Sequence, residues 1–246
     1  MIRKIFLAGA SGAVGKRLAP LLLEAGYAVT GTTRSAEKAA SLRQIGVEPA
    51  IVDVFDAEKL AAAVVESQPD VVIHQLTDLP YGVSPAAMKD FIGRNARIRS
   101  EGTANLVRAA KAVGVRRMIV QSIAWAYAPK AGVFVETDPL DLHAEEPRAT
   151  TVGGVATMEQ AVLREPGMDG IVLRYGFLYG PGTGVDMPAN PDLRVHVDAA
   201  AVAALKAVER GAGGIYNVTE TDVVANSGKA RDALGWDAAF RINDRR

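Results

Sequence analysis

The chain has 246 residues, of which 49% are hydrophobic and 23% charged, a balance that suits one large globular domain. Lys plus Arg equals Asp plus Glu at 28 each, so net charge gives no reason to expect nucleic acid or an anionic membrane as partner. Cysteine is absent, which excludes disulfides, thiolate metal sites and a cysteine nucleophile, and the three histidines lack metal-ligand spacing, so no metal site is expected.

Ile5 to Ala8 reads as a buried strand. Gly9, Gly12 and Gly15 follow at a spacing of three, and Lys16 to Ala25 has helical periodicity with Leu18, Leu21 and Leu22 on one face. Strand, glycine turn, helix is the context in which such a motif binds phosphate. Gly9 permits the tight turn, Gly12 lets a pyrophosphate approach the backbone, and Gly15 lets the helix pack on the strand. The N–H groups at the helix start face the anion. The segment Gly9, Ser11, Gly12, Ala13, Val14 and Gly15 is therefore the expected cradle of a dinucleotide.

The second strand, Tyr27 to Thr33, ends Gly31-Thr32-Thr33-Arg34-Ser35 and leads into a helix over Ala36 to Ile45. An NAD reader places a carboxylate here for the ribose hydroxyls. Arg34 instead suits a 2′-phosphate, with Thr33, Ser35 and Lys38 as further donors, so NADP(H) is expected over NAD(H). The third strand, Val47 to Val52, is followed by Asp53 and Val54, positioned for the adenine, while Asp56 caps the helix Glu58 to Ser67. The fourth strand, Asp70 to Gln75, is continuously apolar, as when both sheet faces are covered. His74 reads as a packed core histidine, and Gln75, Leu76 and Thr77 are expected beneath the cofactor. Pro80 to Pro85 is a turn. A helical region from about Ala86 to Val113 is expected to bend near Gly93 or Gly102.

Arg117 to Ser122 is the fifth strand. A long irregular stretch over 123–149 precedes a helix from Thr151 to Arg164 and a sixth strand from Gly170 to Tyr175. Gly176 to Asp192 is a Gly/Pro-rich loop, Asp198 to Glu209 a helix, Gly214 to Val218 a last strand and Ser227 to Leu234 a tail helix. This alternation predicts an α/β fold over 1–246, a Rossmann-type doubly wound parallel sheet of about seven strands. Residues 176–195 and 219–246 form a small C-terminal lobe on the substrate side. No apolar run nears the ~20 residues of a membrane span, and the first strand starts without a leader. The expected compartment is the cytoplasm and the expected partner a small-molecule substrate, with no nucleic acid and no membrane.

Five segments in order resemble the extended and atypical branch of the short-chain dehydrogenase/reductase superfamily, the NAD-dependent epimerase/dehydratase-like proteins. They are Gly9-x-x-Gly12-x-x-Gly15; Val72-Ile73-His74; Asn95 followed by Gly102-Thr103-Ala104-Asn105-Leu106; Leu173-Arg174-Tyr175-Gly176 with Tyr179-Gly180-Pro181-Gly182; and Val195-His196-Val197-Asp198. The resemblance implies that Asn95 sits near the active site and that Tyr175, Gly176 and Phe177 line the nicotinamide. It also implies that His196-Val197-Asp198 is a structural corner.

The family's usual engine is a serine or threonine, a tyrosine, and a lysine four residues after the tyrosine, which lowers the phenol pKa so that it exchanges a proton as hydride moves. No tyrosine here has a lysine at that spacing. Alignment through Met158-Glu159-Gln160 puts Thr151 at the tyrosine position and Val155 at the lysine position. The serine position falls on Ile123, with Ser122 one residue earlier. Two readings follow. The first is an NADP(H)-dependent oxidoreductase acting on a small or medium carbonyl or alcohol. Its proton donor would be Tyr127, with Lys130 three residues on, and Ser122 would hold the carbonyl. Trp125, Tyr127, Phe134, Phe177, Tyr179 and Met187 would line an apolar pocket. The second is an NADP(H)-binding sensor or regulatory protein without turnover. Against the extended members of the superfamily this C-terminal substrate lobe, 176–195 and 219–246, is much reduced, which disfavours a sugar-nucleotide substrate. The helix from Thr151 carries no charge until Glu159, so it is buried inside the domain or at a subunit contact. In the superfamily this helix often builds a dimer, so a homodimer is expected.

Overall fold

Short apolar runs alternate with amphipathic helices along the chain, and the computed structural model, which describes residues 3–78, 88–188 and 190–242, turns that alternation into a wound sheet. The strands are β1 (Lys4–Ala8), β2 (Ala28–Thr33), β3 (Glu48–Ile51), β4 (Val71–His74), β5 (Arg117–Ile123), β6 (Asp169–Tyr175), β7 (Phe177–Tyr179), β8 (Arg194–His196) and β9 (Gly214–Val218). The α-helices are α1 (Ala13–Glu24), α2 (Ala36–Gln44), α3 (Ala57–Ser67), α4 (Met88–Arg97), α5 (Thr103–Ala112), α6 (Arg148–Leu163), α7 (Val197–Ala207) and α8 (Gly228–Leu234).

Seven strands form one sheet in the order β3-β2-β1-β4-β5-β6-β9, and every pairing in it is parallel. The strand order reverses between β1 and β4, which opens a crevice above their carboxyl ends. Strand alternation divides the core. Ile5, Leu7, Ile171, Leu173 and Tyr175 face α1 and α7. Phe6, Ala8, Val72, Val120 and Val172 face α3, α5 and α6. Burial on both faces is why these strands read as continuous apolar runs.

The long helical region is interrupted by a π-helical turn over Ile98–Gly102. Gly102 is where a side chain would crowd its neighbour, since a Cβ there would lie 3.1 Å from Val54, whereas Gly93 faces open space. The expected turn over Pro80 to Pro85 and the start of that helical region at Ala86 lie outside the described residues. Two short strands fall where the sequence predicts loop or no element: β7 and β8 form a separate parallel ribbon. Three-residue strands are too short for periodicity to reveal. The tail closes the main core. Trp236 donates from Nε1 to the Ala199 carbonyl at 2.8 Å, and Leu234 and Trp236 pack with α1 and α7.

α6 is buried by its own chain. Its Gly154 would place a Cβ 2.9 Å from Ala96 Cα of α4, and Val152, Val155, Met158 and Val162 are fully covered. Within the run from Thr151 to Gln160 only Gly153, Thr157 and Gln160 are exposed. The apolar character that suggested a subunit contact is thus satisfied within one protomer. Among the described residues no helix is long and apolar enough to cross a membrane.

Candidate functional site

The crevice begins at the β1–α1 turn. Gly9 has φ +91°, and a Cβ there would lie 2.8 Å from the Gln75 carbonyl of the strand next door, so both the turn and the close approach of β4 require glycine. The Gly12 N–H donates to the Gly9 carbonyl at 3.0 Å. A Cβ on Gly12 would meet only that carbonyl, at 3.3 Å, leaving its other side open. Gly15 differs from expectation in detail: it is needed against the turn itself, since its Cβ would stand 2.1 Å from the Gly9 oxygen. α1 has neither a side-chain cap nor an acid in its first turn. Its leading N–H groups, at Ala13 and Val14, are an uncontested anion site.

β2 supplies the next wall. The Gly9 N–H donates to Thr32 Oγ1 at 2.9 Å, Ser11 Oγ to Thr33 Oγ1 at 3.4 Å, and the Ser35 N–H to Thr33 Oγ1 at 3.2 Å. Ser35 caps α2 by accepting from the Lys38 N–H. Arg34 is exposed, 3.6 Å from Asp78. Asp78 is the residue here that the sequence did not single out. It also receives Arg94 Nε at 2.7 Å, so two guanidinium groups share one carboxylate. Asn95 fixes this segment by accepting from the Asp78 N–H at 2.9 Å and donating to the Asp78 and Phe91 carbonyls. These bonds tie Asp78 to α4. Asp53 uses one oxygen on the Phe55 N–H at 2.9 Å, and Val54 is buried beside it. Asp56 caps α3 as expected.

β4 brings His74, Gln75, Leu76 and Thr77 to the floor. His74 is buried, its Nδ1 accepting from the Leu76 N–H at 3.1 Å while Nε2 meets Thr103 Oγ1 at 3.2 Å. Those partners assign the proton to Nε2. Burial, aided by the nearby Arg99 charge, pushes the imidazole pKa down to about 4, so it is a neutral packed residue. Gln75 Oε1 is a buried carbonyl with no donor among the described residues.

Beyond β4 the structure revises the expected chemistry. Ser122 is fully buried and donates to Glu159 Oε1 at 2.6 Å. Arg174 grips the same carboxylate through Nε at 2.9 Å and Nη2 at 2.6 Å. Ser122 is therefore enclosed between sheet and α6, with its hydroxyl committed to Glu159. Tyr127 is 3% exposed, donates to Asn217 Oδ1 at 2.6 Å and stacks on Phe134. Burial raises its pKa, against the lowering effect of Arg174. Lys130, the expected activator, pairs with Asp138 at 2.5 Å instead. Arg148 pins this loop by donating to the Trp125 and Tyr127 carbonyls. Tyr127 is thus a core-packed loop residue whose hydroxyl is held by Asn217.

Strand alternation turns Tyr175 to the α7 face, where its hydroxyl donates to the Ala200 carbonyl at 3.1 Å and accepts from Gln75 Nε2 at 3.5 Å. Gly176 is required by close approach of β8, its Cβ lying 2.5 Å from the Leu193 oxygen. Phe177 is partly buried and lies parallel to Trp125 with ring centroids 6.0 Å apart. Met187 is 60% exposed. Tyr179 donates to Glu220, which Arg194 and Arg241 also hold. Thr151 and Val155 are buried on α6. The His196-Val197-Asp198 corner behaves as expected: His196 caps α7, and Asp198 accepts from the Ile242 N–H at 3.1 Å and pairs with Arg17. Among the described residues no side-chain group could hold a metal.

A family model described as the NAD-dependent epimerase/dehydratase family matches residues 5–209. The 3-diazoavenalumate denitrifying reductase of a Streptomyces species is 37% identical over 239 residues, covering 89% of this chain and 76% of that protein. The solved UDP-glucose 4-epimerase of Thermotoga maritima with UDP-glucose superposes with TM-score 0.75 at 20% identity, over 98% of this chain and 95% of its own. The Bordetella bronchiseptica enzyme WbmG in complex with NAD gives 0.72 at 17% identity, over 99% and 91%. At these identities the two structures establish a shared fold.

Proposed function

The chain belongs to the NAD-dependent epimerase/dehydratase family, and from that premise we propose that it is an NADPH-dependent reductase whose hydride acceptor needs no proton from the protein. A diazo compound that reacts in its aryl diazonium form and loses dinitrogen is the acceptor class that fits best. The observation that carries this is the commitment of the hydroxyls: Ser122 to Glu159, Tyr127 to Asn217, with Thr151 and Val155 buried where a tyrosine and a lysine would act.

Carbonyl reduction generates an alkoxide that has to be protonated, and a positioned acid of suitable pKa normally does it. A diazonium carbon behaves differently. Hydride supplies the electron pair of the new C–H bond, the C–N bonding pair leaves with neutral dinitrogen, and charge balances without an acid. The relative at 37% identity is a reductase named for a diazo compound and for loss of nitrogen, which supports the assignment.

The nicotinamide ring supplies hydride when bound. The residues present fit the dinucleotide: an open glycine cradle, an uncapped α1 terminus and an orphaned Gln75 carbonyl stand along one edge. The α1 N–H groups bind the pyrophosphate. Arg34, with Arg94 nearby and Thr33 and Ser35 beneath, receives the 2′-phosphate and gives the preference for NADP(H). Asp53 and Val54 take the adenine. Trp125 and Phe177 orient a flat substrate by their parallel faces. Packing of the tail into the main core supports a single functional domain over 1–246.

The test is turnover of NADPH carrying deuterium at the transferable position, with 3-diazoavenalumate and with a panel of aromatic aldehydes and ketones. Deuterium at the former diazo carbon with release of dinitrogen is expected, and no reduction of the carbonyl panel. Reduction of the carbonyls instead would overturn the acceptor class. Tight NADPH binding with no turnover of either would favour the non-catalytic reading.

A further inference from the structure

Arg99 sits in the π-helical turn between α4 and α5, four residues before Thr103. Thr103 Oγ1 meets His74 at the end of β4. Because α5 descends from the ligand edge, Arg99 stands about one helical turn above the strand end. The turn that carries it packs against α6, on the side of Glu159 and, one turn above that, of Val155.

The guanidinium is partly buried, yet it makes no hydrogen bond and no ion pair with a described residue. Its nearest carboxylate is already filled: Glu159 Oε1 accepts from Ser122 and Arg174, and Oε2 accepts from Arg174. Two guanidinium groups therefore stand around one carboxylate, and Arg174 Nη1 is also buried without a partner. Burial lowers the Arg99 pKa to about 10, with Glu159 acting against the shift, so the group is charged at neutral pH. A partly buried guanidinium with no hydrogen-bonded counterion calls for an anion.

We propose that Arg99 binds the carboxylate of the substrate, so that the enzyme selects acidic substrates over their neutral analogues. The proposal rests on the cleft above β4 and β5 being the reaction site. A carboxylate matches the planar fork of a guanidinium, which donates to both oxygens at once. The cofactor's pyrophosphate is a poorer match for Arg99. Its cradle is the α1 terminus, and α1 packs on the opposite face of the sheet from α5 and α6.

The experiment uses the whole protein saturated with NADP+, with para-hydroxycinnamate and its methyl ester as probes, followed by calorimetry. The wild type is expected to bind the acid at least about tenfold more tightly than the ester, the scale of a hydrogen-bonded charge pair. Arg99→Met should abolish that preference by weakening the acid alone, and Arg99→Lys should restore part of it. NADPH fluorescence titration of each variant checks that the fold and cradle survive. Equal or absent binding of the two probes to the wild type would overturn the proposal, as would a variant that weakens acid and ester alike. Loss of NADPH affinity in Arg99→Met would assign the cation to the cofactor's phosphates instead. Failure of the wild type to bind NADPH would strike the reductase assignment itself, and so is distinguishable.

Discussion

The ends of β1 and β2 and the ends of β5 and β6 lie along one edge of one sheet, yet they treat polar groups in opposite ways. At β1 and β2 the donors point outward: the α1 terminus is uncapped and Arg34 is exposed. At β5 and β6 they point inward: Ser122, Glu159, Arg174, Tyr127 and Asn217 are all buried and bonded to one another in two sets. The first half keeps what binding a dinucleotide needs. The second ties its polar residues to one another inside the protein. On the proposed function, binding and proton chemistry are separate in this fold.

The sharpest test of the outward half is Gly15→Ala. Its Cβ would stand 2.1 Å from the Gly9 oxygen, which no rotamer relieves. NADPH affinity measured by fluorescence should fall more than about a hundredfold as the turn opens. For the inward half, Glu159→Gln leaves Arg174 as a buried charge without a counterion. Urea unfolding should show a loss of about 3–5 kcal/mol. A milder loss would mean that water reaches Arg174 and the half is less sealed than its burial indicates.

His74 joins the two halves and gives a pH signature. Its folded pKa of about 4 lies below the ordinary 6.5, so as pH falls the unfolded chain takes the proton first. The contribution is intact above pH 6.5, is lost between 6.5 and 4, and levels below 4. The total is roughly 3 kcal/mol. His74→Gln, which still offers a donor and an acceptor, should flatten that part of the stability profile. Smaller still is Arg34→Ala, which should weaken NADPH about tenfold and leave NADH unchanged, as expected for one charge-assisted contact. Equal weakening of both would show that Arg34 acts through Asp78 on the segment after β4.

Features of this molecule are legible in its sequence to the extent that they are local. The glycine turn, the sheet and the capping Asp56 are set by residues within a few positions of each other, so spacing reveals them. Asp78 follows β4 with no motif around it. The alternation of Ile171, Leu173 and Tyr175 sends the Tyr175 ring to the α7 core, which the residues flanking it do not reveal. Tyr127 depends on Asn217 and Arg148, far along the chain. Lys130 is paired with Asp138, inside the same irregular stretch, where no regular period links the two. Glu159 and Arg174 do leave a signal: each is a charge inside an apolar stretch, one of a helix and one of a strand, and two such residues on packed elements are expected to pair.

If hydride transfer here proceeds without a phenolic acid, the most direct measurement is single-turnover NADPH oxidation with 3-diazoavenalumate, comparing the wild type with Tyr127→Phe. The substitution removes the bond to Asn217 and should cost about 1 kcal/mol of stability, with the turnover rate kept within about twofold. A fall of about a hundredfold or more, with NADPH still bound and the fold intact, would restore Tyr127 as proton donor and contradict the account.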